Sequence, residues 1–291
     1  MKGTTTAEQI ENQQVHPGRG FPLTIEPPVG WHAFDLREVW PYRDLLYFLI
    51  WRDLKVRYKQ TTIGGIWAVL QPFMTMVVFS IVFGRLVNVP SDGVPYPIFS
   101  YTGLLPWTFF AAAVARGGNS LVQDPNLISK VYFPRLILPV AAVSSMLVDF
   151  FCAFGILIGL MLYYGIVPGL AVLTLPAFLL FAYVTAFAVS AWLSAANVKY
   201  RDITYVIPVL VQFWLFLTPV VYPSSLVPEA WRALYSLNPM VGVVEGFRWA
   251  LLGTESATGA MIFVSAAAVL ALTVGGLLYF RRMERDFADV V

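Results

Sequence analysis

The sequence predicts an all-α polytopic membrane protein. It has six transmembrane helices, an N-terminal interfacial amphipathic helix, and a re-entrant helical hairpin between the fifth and sixth spans. Three observations predict it. Hydrophobic residues make up 58% of the chain and charged residues 12%, against roughly 25% charged in a soluble domain, so this chain cannot cover itself for water. Its apolar residues gather into runs of about twenty, long enough to cross ~30 Å of hydrocarbon. Its cations are sorted: with both termini on one side, only Arg85, Arg232 and Arg248 among the Lys and Arg face outward, the asymmetry expected of a cytoplasmic side. The expected segments are a polar, partly disordered cytoplasmic N-terminus (1–34), the interfacial helix (35–61), the six-span domain (62–280) and a cytoplasmic tail (281–291).

The N-terminus is rich in Gln, Thr, Gly and Pro and lacks the apolar core of a signal peptide. Pro41 suits a first helical turn. From there Tyr42, Leu45, Leu46, Leu49, Ile50, Leu54 and Tyr58 recur at helical spacing. Arg43, Arg52, Lys55 and Lys59 fall mostly on the other side. That pattern predicts an apolar face in the acyl boundary and a basic face toward anionic headgroups. A solvated helix packed on protein is the alternative.

The first span, Gly64 to Val87, is uncharged until Arg85 and carries Pro72 as a kink. The proline-rich stretch Asn88 to Pro97 turns the chain on the far side. The second span, about Ile98 to Ala115, contains Pro106 and meets Arg116 at its cytoplasmic end. Asp124-Pro125-Asn126 starts a short surface helix. The third span, about Leu136 to Tyr163, contains Asp149. Rise per residue sets Asp149 on the order of 20 Å from the cytoplasmic end, at the depth of Ser80, Tyr183 and Ser265 and away from Arg116. A carboxylate there lines an aqueous path or clasps two helices.

The fourth span runs from about Leu170 to Leu193 and the fifth from about Tyr205 to Val221, joined by a basic loop, Ala195 to Thr204. Between Pro223 and Gly253 lie two helical patterns too short to cross. The second opens on Asn238 as N-cap and Pro239, ends on Gly253, and carries Glu245 and Arg248 as an i, i+3 pair. A half-crossing hairpin whose backbone is covered by protein or water satisfies them. The sixth span, Ala260 to Phe280, ends at Arg281-Arg282.

No catalytic residues and no metal site are expected. His16 and His32 lie in the N-terminal segment, the single Cys152 excludes an internal disulfide, and no HExxH or Cys/His cluster occurs. No phosphate loop and no intramembrane row of charges is present either. Uphill movement of a solute therefore needs an outside energy source. The surfaces offered to a soluble motor are the basic helix (Arg52, Lys55, Arg57), the loop after the second span (Leu121, Asp124, Asn126, Lys130, Tyr132) and the loop after the fourth (Tyr200, Arg201, Asp202). Six spans make a thin bundle, for which a homodimer with the pathway at its interface is the economical assembly.

RDLKVRYKQTTIGGIWAVLQP, NVKYRDI, SLNPMVGVVEGFRWALLG and RRMERDFADVV, in that order, resemble the membrane subunit of polysaccharide-exporting ABC transporters, the family that exports O-antigen, capsule and teichoic acid. The resemblance runs from about Leu23 to the C-terminus. It implies a homodimer in the bacterial inner membrane with two copies of a separate nucleotide-binding ATPase. Mg-ATP is held in that partner, with no cofactor in this chain. The substrate is a lipid-linked glycan, membrane lipids surround the spans, and no nucleic acid takes part. It further implies that the amphipathic helix and the loop after span two contact the ATPase. The segment carrying Trp231, Asn238, Glu245 and Arg248 forms re-entrant helices near the outer exit. Sugar rings pack C–H faces on aromatic faces, so Trp67, Phe73, Tyr101, Trp107, Phe110, Trp214 and Tyr222, with Asp149, are candidate pathway residues. The alternative for the aromatics is a lipid-facing belt. Alternative functions are export of a drug or smaller lipid, a membrane-embedded glycosyl or phosphoryl transferase, or a passive channel.

Overall fold

A computed structural model describes residues 40–59, 64–131, 133–254 and 259–284. The N-terminal segment 1–34, the expected start of the first helix, Gln60–Thr61, Tyr132 and the tail beyond Glu284 lie outside the described residues, as does the side chain of Asn126. Every described element is helical. The α-helices are α1 (Arg43–Lys59), α2 (Gly64–Phe79), α3 (Tyr96–Gln123), α4 (Pro125–Lys130), α5 (Ile137–Tyr164), α6 (Leu175–Lys199), α7 (Ile203–Phe216), α8 (Glu229–Tyr235), α9 (Pro239–Leu252) and α10 (Gly259–Glu284), with short 3-10 turns at Trp40–Tyr42, Leu170–Thr174 and Ser224–Leu226. Five stretches are long and apolar enough to cross a membrane: Ile66–Leu86, Tyr96–Gln123, Ile137–Tyr164, Leu170–Lys199 and Gly259–Glu284.

α7 differs from the expected fifth span. It is a regular helix of 14 residues, about 21 Å long. It stops at Phe216 because Thr218 precedes Pro219, and a residue before proline is pushed out of the helical region. The chain goes on through turns to Val221. α3 and α6 run the other way, continuing well past the expected ends at Ala115 and Leu193 to Gln123 and Lys199. The basic loop after the fourth span therefore shrinks to a turn at Tyr200–Asp202.

α3 is the hub. Most of its residues are buried, and it packs against α2, α5, α6, α7 and α9. Its contact with α6 rests on small residues that bring backbones together. A Cβ at Gly117 would stand 2.4 Å from Ser190 Oγ, whose hydroxyl donates to the Ala113 carbonyl at 3.3 Å. Asn197 Nδ2 donates to the Gly118 carbonyl at 3.1 Å. α2, by contrast, is peripheral. It passes Pro72 and then widens into a π-helical stretch, Ser80–Leu86. The turn that follows needs left-handed backbone at Asn88 and Asp92, residue types that tolerate it.

The bundle has two distinct ends. At one, which we call the base, Leu49, Leu121, Phe133, Leu136, Ala195, Phe280 and Met283 share a core cluster. Arg135 Nη1 there donates to the Glu284 carbonyl at 2.7 Å. At the other, Tyr96 Oη donates to the Val221 carbonyl at 2.7 Å, and Ser225 Oγ to Asp92 at 3.1 Å.

Candidate functional site at the two ends of the bundle

At the base, α1 faces the bundle through both its apolar stripe and its charges. Leu49 is 2% exposed and Asp53 7%. Arg52 makes a forked contact with Asp124, at 3.1 and 2.6 Å, and also reaches Asp53 at 3.1 Å. Arg116 meets the other oxygen of Asp53 at 3.3 Å. Partial burial works against the Arg52 charge, but the two carboxylates outweigh it and hold its pKa above the ordinary value. A cleft of about 300 Å³ opens beside this network between α1, α3 and α5.

The apolar stripe of α1 packs on protein, the alternative to an acyl boundary, and the charges divide: Arg43, Lys55 and Lys59 are exposed as the spacing predicts. The basic residues Arg52 and Arg57 turn inward, while Tyr47, Phe48, Trp51 and Val56 are exposed, with Lys55 Nζ 5.4 Å from the Trp51 ring centroid. The reason is that inward-facing Asp53, Asp124 and Asp149 offer the arginines better partners than water. Of the docking residues named from sequence, Lys55, Lys130, Tyr200, Arg201 and Asp202 are exposed. Leu121 is wholly buried in the basal core and is no contact surface. Arg52, Asp124 and Arg57 are engaged within the chain. Asp53, and Arg116 from the cytoplasmic end of the second span, complete the network, and neither is among the expected docking residues. The signal was present in the sequence: an acid inside a basic run, and a cation inside a helix otherwise apolar for two turns.

Asp149 is not an isolated carboxylate. Arg57 Nη1 and Tyr58 Oη both donate to it, and Arg57 Nη2 lies 3.4 Å from Met146 Sδ. Burial and the neighbouring carboxylate push the Tyr58 hydroxyl up to about 12. The residues expected at its depth bond elsewhere. Tyr183 Oη pairs with Ser144 at 2.8 Å, Ser265 donates to Ser236 O at 2.8 Å, and Ser80 to Met76 O at 2.7 Å. Depth counted along a straight α5 says nothing of α1, which runs beside it.

The aromatic candidates separate into two groups. Tyr101, Trp107 and Phe110 are buried in the core of the chain. Tyr101 Oη donates to the Ala153 carbonyl at 2.9 Å, Trp107 packs on Phe110 at 5.4 Å, and Phe110 on Trp214 at 5.1 Å. They sit on the hub helix, so they offer no surface on which a polymer can slide. Trp67 is 60% exposed, and Phe73, Trp214 and Tyr222 are half-buried.

At the far end the expected caps form. Asn238 Oδ1 accepts from Met240 N at 3.1 Å and from Trp214 Nε1 at 2.8 Å, while its Nδ2 donates to the Leu217 carbonyl at 2.9 Å. Gly253 closes α9 in the left-handed region at φ 68. The turn between α8 and α9 lies against Ser265, about 9 Å into α10 by helix rise. α9 then runs back toward Leu170–Thr174. Glu245 and Arg248, the i, i+3 pair expected from the sequence, are fully buried, 3.3 Å apart. The Arg248 guanidinium lies 3.7 Å from the Phe99 ring centroid and donates to the Val220 carbonyl at 2.9 Å. Trp231 of α8 is exposed.

Among the described residues, no group of His, Cys, Asp and Glu could hold a metal ion. Residues 44–252 match the family model of the ABC-2 type transporter. The chain is 30% identical over 260 residues to the O-antigen export system permease protein RfbA of Myxococcus xanthus, covering 88% of this chain and 98% of the relative. A protein of the same name from Klebsiella pneumoniae is 27% identical over 85% of this chain and 95% of its own length. The polysialic acid transport protein KpsM of Escherichia coli is 21% identical over 81% and 92%.

Proposed function

This chain belongs to the ABC-2 type transporter family, and from that premise we propose that it is the transmembrane subunit of an exporter that moves a lipid-linked polysaccharide outward across the bacterial inner membrane. It is a transporter subunit rather than an enzyme. The observation that carries the substrate class is its similarity to the O-antigen export permeases over nearly their whole length. ATP is hydrolysed in a separate partner subunit, two copies of which serve a homodimer of this chain. The base is the cytoplasmic end and meets that partner through Lys55, Lys130 and the Tyr200–Asp202 turn. In this reading α2, α3, α5, α6, α7 with its following turns, and α10 are six spans. α8 and α9 form a re-entrant hairpin at the exit, and both termini are cytoplasmic. The distribution of cations supports it: among the described residues, those beyond the base are Arg85, Arg232 and Arg248. Of the aromatics expected along the pathway and exit, exposed Trp67 and Trp231 and half-buried Phe73, Trp214 and Tyr222 are the ones available to a glycan in a dimer.

The test is complementation. A strain whose own O-antigen permease is deleted receives this chain with the ATPase from its own genome, and surface polysaccharide is scored with antibody. Display that needs both subunits is the expected result. Display without the ATPase, or nucleotide hydrolysis by the purified chain alone, defeats the proposal. A thiol introduced at Arg201 should resist membrane-impermeant reagents added outside the cell.

A further inference from the structure

α1 is tied to the bundle at two levels. Near its middle, Arg52 and Asp53 hold Asp124 and Arg116. Near its end, Arg57 and Tyr58 hold Asp149. Asp149 is the one charged residue of α5, about 18 Å along that helix from Ile137. Arg57 and Asp149 are each about a quarter exposed, so water does not substitute freely for either partner.

Anchoring α1 does not by itself require this second level. Leu49 already sets the helix into the basal core, and a carboxylate within an apolar helix is an expensive way to add adhesion. What two levels provide, and one does not, is resistance to tilting. A helix pinned at its middle swings about the pin, whereas one pinned again five residues on must carry the second helix with it. The exposed side of α1, with Lys55 and Trp51, is where a basal partner can push.

From this geometry we infer that Asp149 is a positioning residue whose contact with Arg57 and Tyr58 transmits displacement of α1 into the middle of α5. Its role is coupling, outside any contact with the transported polymer. The inference rests on the proposed ATP-driven export. The basal ties keep α1 seated when the Asp149 contact is cut, so ATP hydrolysis by the assembled complex continues while its link to transport weakens.

Charge exchange tests this in the complementation strain and in the purified complex. Absence of export by the wild-type chain overturns the functional reading, and this inference with it. With export established, Asp149→Asn and Arg57→Asp should each lower export per ATP hydrolysed about tenfold. The exchanged pair, Arg57→Asp with Asp149→Arg, should recover most of that loss. Tyr58→Phe, which removes one of two donors, should have a smaller effect. A melting-temperature cycle on the same variants, read as non-additivity, covers any that assemble poorly. Undiminished export per ATP in Asp149→Asn overturns the inference, as does an exchanged pair no better than its singles or an additive cycle.

Discussion

Replacing Arg248 with methionine removes a cation from a site with no water to replace it. The guanidinium is 0% exposed and Glu245 2%. Its removal leaves a buried carboxylate beside Ser224. At 3.3 Å and an effective dielectric of about 20, the lost attraction is about 5 kcal/mol. Orphaned buried charges elsewhere cost about 3–5 kcal/mol, and the lost bond to the Val220 carbonyl falls within that range. For a chain of this size the melting temperature should fall by roughly 10 °C. Glu245→Leu combined with Arg248→Met removes both charges and should melt within about 2 kcal/mol of wild type or above it. Thermal melts of the purified protein in one detergent decide between these outcomes. A single variant that melts with wild type, or a double that falls as far as the single, refutes the claim that the cost lies in the unpaired charge.

Gly246→Ala sets a Cβ 2.1 Å from the Phe178 ring. It should cost about 1–3 kcal/mol by overpacking, read as a lower melting temperature that Phe178→Leu partly restores. Tyr101→Phe loses the bond to the Ala153 carbonyl and about 1 kcal/mol of stability, while the amount of polysaccharide displayed per folded molecule stays unchanged. A drop in display at normal stability would return Tyr101 to the pathway. Tyr58 carries an alkaline signature. Its hydroxyl titrates near 12, raised above the ordinary 10.0, so its contribution to stability is full below pH 10 and is lost as pH climbs toward 12. Tyr58→Phe should flatten that limb of the melting-temperature profile, and an identical limb in the variant refutes the assignment.

The sequence disclosed what depends on local patterning. Asn238, Pro239 and Gly253 announce both ends of α9 because caps are written in residues adjacent to the bond they make. Long apolar runs likewise announce the five crossing helices. What it hid depends on which face meets which neighbour. The wheel of α1 separates apolar from basic residues, yet Arg52 and Arg57 point inward, because carboxylates on α5, at the 124 corner and on α1 itself wait there. Tyr101, Trp107 and Phe110 read as sugar-facing only while α3 is assumed to be one span among equals. The stop at Phe216 was readable from Thr218-Pro219, but apolar composition past the proline masked it.

The central position of α3 has a consequence for how such a machine can change its cargo. A helix enclosed on every side by its own subunit is held by packing alone, and any alteration there disturbs all its neighbours together. The outlying α2 and α7 are under no such restraint. Widening or narrowing the conduit is therefore cheapest at the rim, where side chains can be exchanged one at a time around an unaltered axle.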